Sequence, residues 1–360
     1  MVTDVITKPK LQQTLGKEFD IACFVLLCDN KNFNTSKPSY ALDLLGKPTF
    51  EWVTRVCPTR PVTIECKLED NPLEVIRPYL REREYTLVLY GDTPLLTRAN
   101  IDNILEFVAS KGLNVCKLTR GYVFRTEFIK RVDEIFSPQT YYFNEDEFQV
   151  ANNLSEFSEI ASILQQRIIK FHQSRGVEFD NPSSVYIESD VAIGSGCKIS
   201  TGVYLSGETE IGDNVFIGSN AKISNSKIGN FSSILDCKIY DSVIKDNCSV
   251  ADNVVIDAGS FVGSFSTIGT NCSISATSIA QNVKIGSMCN LTNARIYREA
   301  QIGSCVKVLG EKDSVSRILR GAKVGDCSII GSNVAVKEQT EVPIATTLIK
   351  TDDDVENIWN

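Results

Sequence analysis

Few residues in this chain are of the types that usually carry acid–base or metal chemistry. There is one histidine, His172, in a stretch ahead of the repeats described below, where we expect a solvated side chain. The twelve cysteines include no Cys-x-x-Cys pair, and with a single histidine they do not predict a zinc site. The carboxylate best placed for binding is Asp92, because it directly follows a short apolar run.

The elements that position Asp92 have a strand–loop–helix pattern. Ile21–Leu27 and Tyr85–Tyr90 are apolar runs of strand length, and Ile101–Ala109 has helical spacing. Units of this kind predict an α/β layer with a parallel sheet. Ligands of such sheets lie beyond the carboxyl ends of the strands, which is where Gly91-Asp92-Thr93 falls.

The second half of the chain is organised by a repeat of six residues. An α-helix cannot keep aliphatic residues six apart on one face, whereas a short strand followed by a tight turn can. Each hexad is therefore predicted to form one face of a triangular β-helix, with the aliphatic side chain inside. The alternative, a β-sandwich, would need alternation with a period of two. The strict series are Ile187, Ile193, Ile199, Leu205, Ile211, Ile217 and Ile223, and later Val250, Ile256, Val262, Ile268 and Ile274.

Two features stand out within the repeat. Lys307–Arg320 breaks the register, and we expect it to form a loop extruded from one coil. Seven cysteines fall three or four residues after a repeat aliphatic, where a small side chain would pack in the core, and we expect reduced, buried thiols. They are Cys197, Cys237, Cys248, Cys272, Cys289, Cys305 and Cys327.

Composition and charge exclude some classes of partner. The formal net charge is −8 and no Lys/Arg cluster is present, so the sequence predicts no nucleic-acid binding. The early apolar run is far too short to cross a bilayer and lacks the flanks of a signal peptide, so we expect no membrane association and a cytoplasmic location.

An ordered set of motifs resembles one protein family. Leu45-Gly46-Lys47-Pro48, Tyr90-Gly91-Asp92-Thr93-Pro94-Leu95 and Val150-Ala151-Asn152-Asn153 are followed by Leu164-Gln165-Gln166-Arg167 and then by the hexads. This order is similar to that of bifunctional UDP-N-acetylglucosamine pyrophosphorylase/glucosamine-1-phosphate N-acetyltransferase, the GlmU type. The chain resembles a shortened and divergent member.

The resemblance implies a domain plan. It places a shortened nucleotidyltransferase-like (Rossmann-like) α/β domain at 19–160, a linker helix at 161–180 and a left-handed parallel β-helix of hexapeptide repeats at 181–345. A tail at 1–18 and an acidic tail at 346–360 complete it. The resemblance also implies a homotrimer of prisms, with contacts expected on outward faces around Tyr204, Phe216 and Phe231.

The implied nucleotide site is only partly present. The family's glycine-rich phosphate loop is replaced by a glycine-free stretch, and Ser39 stands where the family has a lysine, with Lys37 two positions away. By resemblance, Lys37, Gly91, Asp92 and Thr93 would contact a sugar nucleotide, and Asp92 with Asn152 would hold Mg²⁺. The competing interpretation is that Asp92 and Asn152 are turn or cap residues.

The implied acetyl-CoA site is altered as well. Phe261 stands where the family has its histidine base, and the repeats contain no histidine. Catalytic residues therefore remain unassigned.

Three functions are consistent with the sequence. The first is a GlmU-like protein of UDP-N-acetylglucosamine biosynthesis whose uridylyltransferase and acetyltransferase signatures are both eroded. The second is an inactive trimeric paralogue that binds a sugar nucleotide or acts as a regulatory scaffold. The third is a hexapeptide acyltransferase on another acceptor. We expect uridylyl transfer and acetyl transfer to glucosamine-1-phosphate to be absent or feeble.

Overall fold

The computed structural model describes residues 19–132, 140–143, 145–332, 334–350 and 355–359. The chain divides into two compact units, Met1–Leu164 and Gln165–Asn360. The expected tail at 1–18 lies outside the described residues, as do 351–354 and 360. No helix in the described part combines the length and apolarity needed to cross a membrane.

The first unit is built on one mixed sheet. Its strands are β1 (Ile21–Cys28), β2 (Val62–Cys66), β3 (Tyr85–Tyr90), β4 (Val115–Leu118) and β5 (Gly121–Arg125), in the order β2-β1-β3-β5-β4. β1 pairs with β2 and β3 in parallel, as expected, but β5 is antiparallel to both β3 and β4. The expected parallel pairing holds for β1, β2 and β3 but is wrong at this edge, because a short hairpin, with no crossover helix, connects β4 to β5.

Both faces of this sheet are covered, which explains the uninterrupted apolar runs of β1 and β3. Alternate β1 residues pack against α1 (Thr49–Val56) and α3 (Arg98–Lys111) on one face. The others pack against α2 (Pro72–Ile76) and α4 (Thr126–Ile129). Short 3₁₀ turns complete the unit at Lys31–Phe33, Ser39–Ala41, Arg77–Tyr79 and Glu145–Phe148.

The helix α5 (Leu154–Ser174) begins in the first unit and ends in the second. It starts earlier and ends earlier than the linker helix expected at 161–180. In the second unit its residue Ile169 joins the core of the β-helix together with Val177.

The second unit is a parallel β-helix with three ladders of short strands, as the hexads predict. A 3₁₀ turn at Pro182–Ser184 leads into it. The first face contains Tyr186–Ile187, Tyr204–Ser206, Lys222–Ser224, Cys237–Tyr240, Val254–Asp257, Ser273–Ser275, Asn290–Thr292, Lys307–Leu309, Ile329–Ile330, Thr346–Lys350 and Val355–Trp359. The second face contains Ala192–Ile193, Glu210–Ile211, Lys227–Ile228, Val243–Ile244, Phe261–Val262, Ser278–Ile279, Ala294–Ile296, Ser316–Ile318 and Ala335–Val336. The third face contains Glu178–Phe179, Lys198–Ile199, Phe216–Ile217, Ser233–Ile234, Ser249–Val250, Thr267–Ile268, Lys284–Ile285, Gln301–Ile302, Lys323–Val324 and Glu341–Val342.

Register along each ladder is set by the repeat aliphatics. Ile187 pairs with Leu205 and Leu205 with Ile223, so each buried side chain stacks on the next in the core. Buried hydroxyls join the second ladder: Ser226 Oγ accepts from the Ser242 N–H at 3.1 Å, and Ser260 Oγ accepts from the Thr277 N–H at 3.2 Å. These bonds satisfy polar groups that would otherwise be orphaned inside the prism.

Two details of the repeat differ from expectation. The stretch Lys307–Arg320 is not one extruded loop, because it contributes Lys307–Leu309 and Ser316–Ile318 to two ladders, and only the turn between these strands departs from the coil. The ladder also continues past residue 345, since Thr346–Lys350 pairs in parallel with Ile329–Ile330 and in antiparallel fashion with Val355–Trp359.

The repeat cysteines divide into two groups. Cys197, Cys237, Cys248, Cys272 and Cys289 are buried as expected, whereas Cys305 is half-buried and Cys327 is exposed. The buried cysteines precede the next repeat aliphatic by two residues and point inward. Cys305 and Cys327 precede it by three residues and lie at a corner of the prism, with φ of 59° and 55° respectively. The expectation of burial was therefore wrong for these two residues.

Candidate functional site

The loop after β1 is closed by its own side chains. Asp29 Oδ1 accepts the Ser39 N–H at 2.8 Å, and Ser39 Oγ accepts the Asn30 N–H at 2.8 Å. Asn30 Oδ1 in turn accepts the Asn32 N–H at 3.1 Å. Backbone N–H groups that cradle phosphate in a glycine-rich loop are here engaged within the protein.

The structure brings some of the sequence-predicted residues together. Ser39, Asp92 and the Ala151 of the Val-Ala-Asn-Asn motif line one cavity, together with Phe33 and Phe157. The cavity holds about 20 Å³, room for one water molecule, whereas small-molecule sites usually span roughly 300–1,000 Å³. Lys37 is exposed to solvent and does not line it.

Gly91 and Thr93 have structural roles. A Cβ on Gly91 would lie 2.8 Å from Leu27 Cδ2 and 3.0 Å from Phe50 Cβ, so only glycine fits between β1 and α1. Thr93 is fully buried and its hydroxyl donates to the Tyr90 carbonyl oxygen at 3.0 Å. Both residues hold the turn that presents Asp92.

Asp92 is neutralised by an arginine that the sequence analysis did not identify. Arg120 Nε donates to Asp92 Oδ1 at 3.2 Å and Arg120 Nη2 donates to Oδ2 at 2.5 Å. The side chains are only 24% and 18% exposed, and the guanidinium carbon lies 4.2 Å from the Tyr90 ring centroid. A planar guanidinium fits a carboxylate and an aromatic face at once, so the pair is well fixed.

Asn152 is engaged at the start of α5. Its backbone N–H and its side-chain amide donate to Glu156 Oε2 at 2.9 and 3.0 Å, and Asn153 Oδ1 accepts the Ser155 N–H at 2.9 Å. The two bonds from Asn152, first of all the one from its backbone N–H, lower the pKa of Glu156. The contacts fit the capping interpretation of the motif.

Mg²⁺ prefers free oxygen ligands, and this donor set does not fit it. Both carboxylate oxygens of Asp92 face Arg120, and the Asn152 amide serves Glu156. The described residues contain no cluster of three or more His, Cys, Asp or Glu side chains that could hold a metal ion. Mg²⁺ binding by Asp92 and Asn152, which the resemblance implies, would require both side chains to leave these partners.

In the β-helix, Phe261 lies on the outer side of the second face and is 36% exposed. Its closest cationic neighbour is Lys245, whose Nζ lies 6.0 Å from the ring centroid. Glu299, a carboxylate that could replace a missing histidine, instead accepts from Arg320 Nε at 3.2 Å. Neither of these two charged side chains is a free, positioned general base for chemistry at Phe261.

The lone histidine is buried, contrary to the expectation of a solvated side chain. His172 is 3% exposed and its carbonyl oxygen accepts the Val177 N–H, because the chain turns back after α5 to begin the β-helix. Its Nδ1 is buried without a hydrogen-bond partner among the described residues. Burial, and secondarily the charge of Arg175, lowers the pKa of His172 to about 4.

A groove of about 630 Å³ runs along the third face near its end. Lys284, Gln301, Lys323 and Glu341 stand in register along it, and Lys323 Nζ pairs with Glu341 Oε1 at 2.6 Å. Of the two lysines in the groove, Lys323 is thus paired, whereas Lys284 makes no ion pair with the described residues.

Comparison with known proteins supports the family resemblance. The hexapeptide repeat of succinyl-transferase matches residues 208–229. The bifunctional protein GlmU of Lactobacillus johnsonii is 30% identical over 185 residues, 51% of this chain and 40% of that protein. That of Lactobacillus helveticus is 26% identical over 312 residues, 69% of this chain and 67% of that protein. The chain is a divergent relative of the GlmU proteins.

The likeness to GlmU covers only part of each relative, and the chain spans less than half the length of the first relatives it matches. Among solved structures, UDP-N-acetylglucosamine acyltransferase of Francisella novicida covers 48% of this chain and 69% of its own, at 13% identity and a TM-score of 0.27. A CMP-2-keto-3-deoxy-manno-octonic acid synthetase complexed with CTP covers 41% of this chain and 99% of its own, at 10% identity and a TM-score of 0.31. Scores this low carry no argument about the site.

Proposed function

We propose that this GlmU relative has lost uridylyl and acetyl transfer and acts in UDP-N-acetylglucosamine biosynthesis as a non-catalytic trimeric scaffold. The observation that carries the proposal is the Asp92–Arg120 pair. A metal-binding carboxylate must turn its oxygens toward the ion, and here a bidentate guanidinium occupies both.

Other contacts support the proposal for the first unit. In the loop from Asp29 to Ser39, the Asn30 and Ser39 N–H groups already donate within the protein and are not free to receive a phosphate. The cavity beside it has room for one water. Losing one stabilising group in a polar active site commonly costs on the order of 10²–10³ in rate, and here several are missing.

The decisive experiment measures UTP turnover with N-acetylglucosamine-1-phosphate and Mg²⁺, beside thermal-shift binding of UTP, UDP and UDP-N-acetylglucosamine. We expect no turnover by the wild type. Arg120→Ala frees Asp92 and is expected to gain Mg²⁺ binding. Arg125→Ala, which removes a more exposed ion pair to Glu84, is the matched control. Turnover by the wild type at ordinary enzyme rates, abolished by Asp92→Ala, would overturn the proposal.

Acetyl transfer is tested separately through Phe261. An amine must lose its proton before it attacks a thioester, and a positioned base contributes typically about 10²–10⁴-fold. We expect no acetyl-CoA consumption with glucosamine-1-phosphate in the wild type and activity in Phe261→His. Robust turnover by the wild type would refute this half of the proposal.

The trimer is proposed on outward aromatic residues of the β-helix. Tyr204 stacks on Tyr186 with ring centroids 4.6 Å apart on the first face, Phe216 lies on the third face, and Phe231 stands at the corner between the second and third faces. Phe231 is 62% exposed, an unusual position for a phenyl ring unless a partner covers it. Multi-angle light scattering at micromolar concentration is expected to give three times the chain mass, and a clean monomer would contradict it.

A second candidate function, acyl transfer to another acceptor, is favoured by the groove on the third face. Its volume falls within the range of small-molecule sites, and Lys284 could pair with a phosphate of acetyl-CoA. A thermal shift with acetyl-CoA that Lys284→Glu abolishes would favour this candidate over the scaffold.

A further inference from the structure

One corner of the β-helix, between the third and first faces, carries an unusual series of residues. At this corner the backbone takes the left-handed conformation in most coils, a conformation that glycine and asparagine adopt most readily. Gly202, Asn220, Asn253 and Asn271 occupy it in earlier coils, with φ between 58° and 73°. The next three coils place Met288, Cys305 and Cys327 there, at φ of 59°, 59° and 55°.

These three sulfur residues form one column, which we call the sulfur column. The N–H of Met288 donates to Thr270 O, that of Cys305 to Ser287 O and that of Cys327 to Ser304 O, each at 2.8 Å. Each bond joins a residue to the same corner of the preceding coil. Neighbouring strands lie about 4.8 Å apart, so the three side chains are stacked at that spacing.

The column faces solvent, unlike most sulfur in this protein. Met288 is 57% exposed and is the one methionine besides Met1. Cys327 is exposed and Cys305 is half-buried, whereas nine of the other ten cysteines are buried. Cys305 and Cys327 occupy the same corner in successive coils, so their side chains are neighbours in the column. Two adjacent thiols beside a thioether form a set of three soft sulfur donors for a metal ion.

We propose that the sulfur column binds a soft monovalent metal ion such as Cu(I), with the Cys305 and Cys327 thiolates as ligands and the Met288 thioether as the third. Thiolate and thioether ligands select Cu(I) over harder ions. Binding breaks two S–H bonds and forms two thiolate–metal bonds and one thioether–metal bond, so that two protons are released and no electron is transferred.

The set does not suit a structural zinc site. Zn²⁺ takes four nitrogen, sulfur or carboxylate ligands in tetrahedral geometry. The neighbouring carboxylate Asp326 is already engaged, because its Oδ1 accepts the Ser304 N–H at 2.7 Å. This inference is independent of the proposed scaffold function.

The test uses the reduced full-length protein without oxygen and offers Cu(I) as its complex with bathocuproine disulfonate, which loses colour when the protein takes the metal. We expect the wild type to take up one equivalent, and Cys305→Ser/Cys327→Ser to lose it. Met288→Leu should weaken binding without abolishing it. Cys66→Ser is the matched control, because it removes the other partly exposed thiol, whose sulfur lies 3.4 Å from that of Cys28.

A second measurement reads the same site in the unaltered chain. Ag(I), a redox-inert substitute, is expected to protect Cys305 and Cys327 from iodoacetamide, as peptide mapping would show. Uptake that survives in Cys305→Ser/Cys327→Ser, or that Cys66→Ser abolishes, would overturn the proposal. So would equal alkylation of the two cysteines with and without Ag(I).

Discussion

The buried His172 gives the protein a specific sensitivity to acid. Its pKa falls from the ordinary 6.5 to about 4, because burial at the start of the β-helix disfavours the imidazolium. Between these values the unfolded chain binds a proton that the folded chain does not. Stability due to neutral His172 is therefore fully present above pH 6.5 and is lost as the pH falls toward 4.

The magnitude follows from the size of the shift. A pKa change from 6.5 to about 4 corresponds to roughly 3 kcal/mol of unfolding free energy at most. We expect urea unfolding of the wild type to lose about this much more stability between pH 7 and pH 4 than His172→Leu does. Leucine is close to histidine in size, suits a buried position and does not titrate, although it also loses the edge contact with the Phe171 ring.

The assay is unusually clean because the chain contains one histidine. Its ring C–H signal is the single histidine resonance in a proton NMR titration, and we expect its midpoint near pH 4. A midpoint near 6.5, or equal pH dependence of stability in wild type and His172→Leu, would refute the reasoning. Arg175→Gln should raise the midpoint, because the charge of Arg175 is the second cause of the depression.

Three other outcomes are expected. Arg120→Ala should destabilise the first unit by roughly 1–3 kcal/mol in urea unfolding, because it leaves the partly buried Asp92 carboxylate without its ion-pair partner. A loss of the same size in a protein that already carries Asp92→Asn would contradict that cause. Gly286→Ala should cost roughly 1–3 kcal/mol by the same assay, since a Cβ there would lie 2.6 Å from the backbone of the next coil; an unchanged midpoint would show that the coils can separate. Native thiol labelling should modify Cys305 and Cys327 quickly and the five core thiols of the repeat only on unfolding; burial raises the pKa of one of these, Cys237, to about 12.

The β-helix was predictable because its signal is local and repeated. A period of six constrains every face alike, so the ladders could be placed from the aliphatics alone. The cysteines show the limit of that reasoning: counted forward from the preceding aliphatic, Cys237 and Cys305 both lie three residues away. Counted backward from the next aliphatic, Cys237 lies two residues away and points inward, whereas Cys305 lies three away at the corner.

The first unit was less predictable because its key contact depends on pairing. Arg120 lies in the short hairpin between β4 and β5, in a stretch with no motif. Only the antiparallel register of Leu89 with Gly121 places this hairpin at the carboxyl end of β3, beside Asp92. Nothing in the local sequence indicates that register, so the pair that closes the site could not be foreseen.

The stacking of the coils also determines how such a surface can change in evolution. Loss of one complete coil, such as Leu205–Lys222, would leave every later residue on its original face, because Ile223 would then stack where Leu205 had been. Loss of a single hexad would instead rotate everything downstream by one third of a turn. Met288, Cys305 and Cys327 would still stack on one another, but they would move to a different corner of the prism. Insertion or deletion of a whole coil thus changes only the length of the prism. Insertion or deletion of one hexad would move every later residue to a different face.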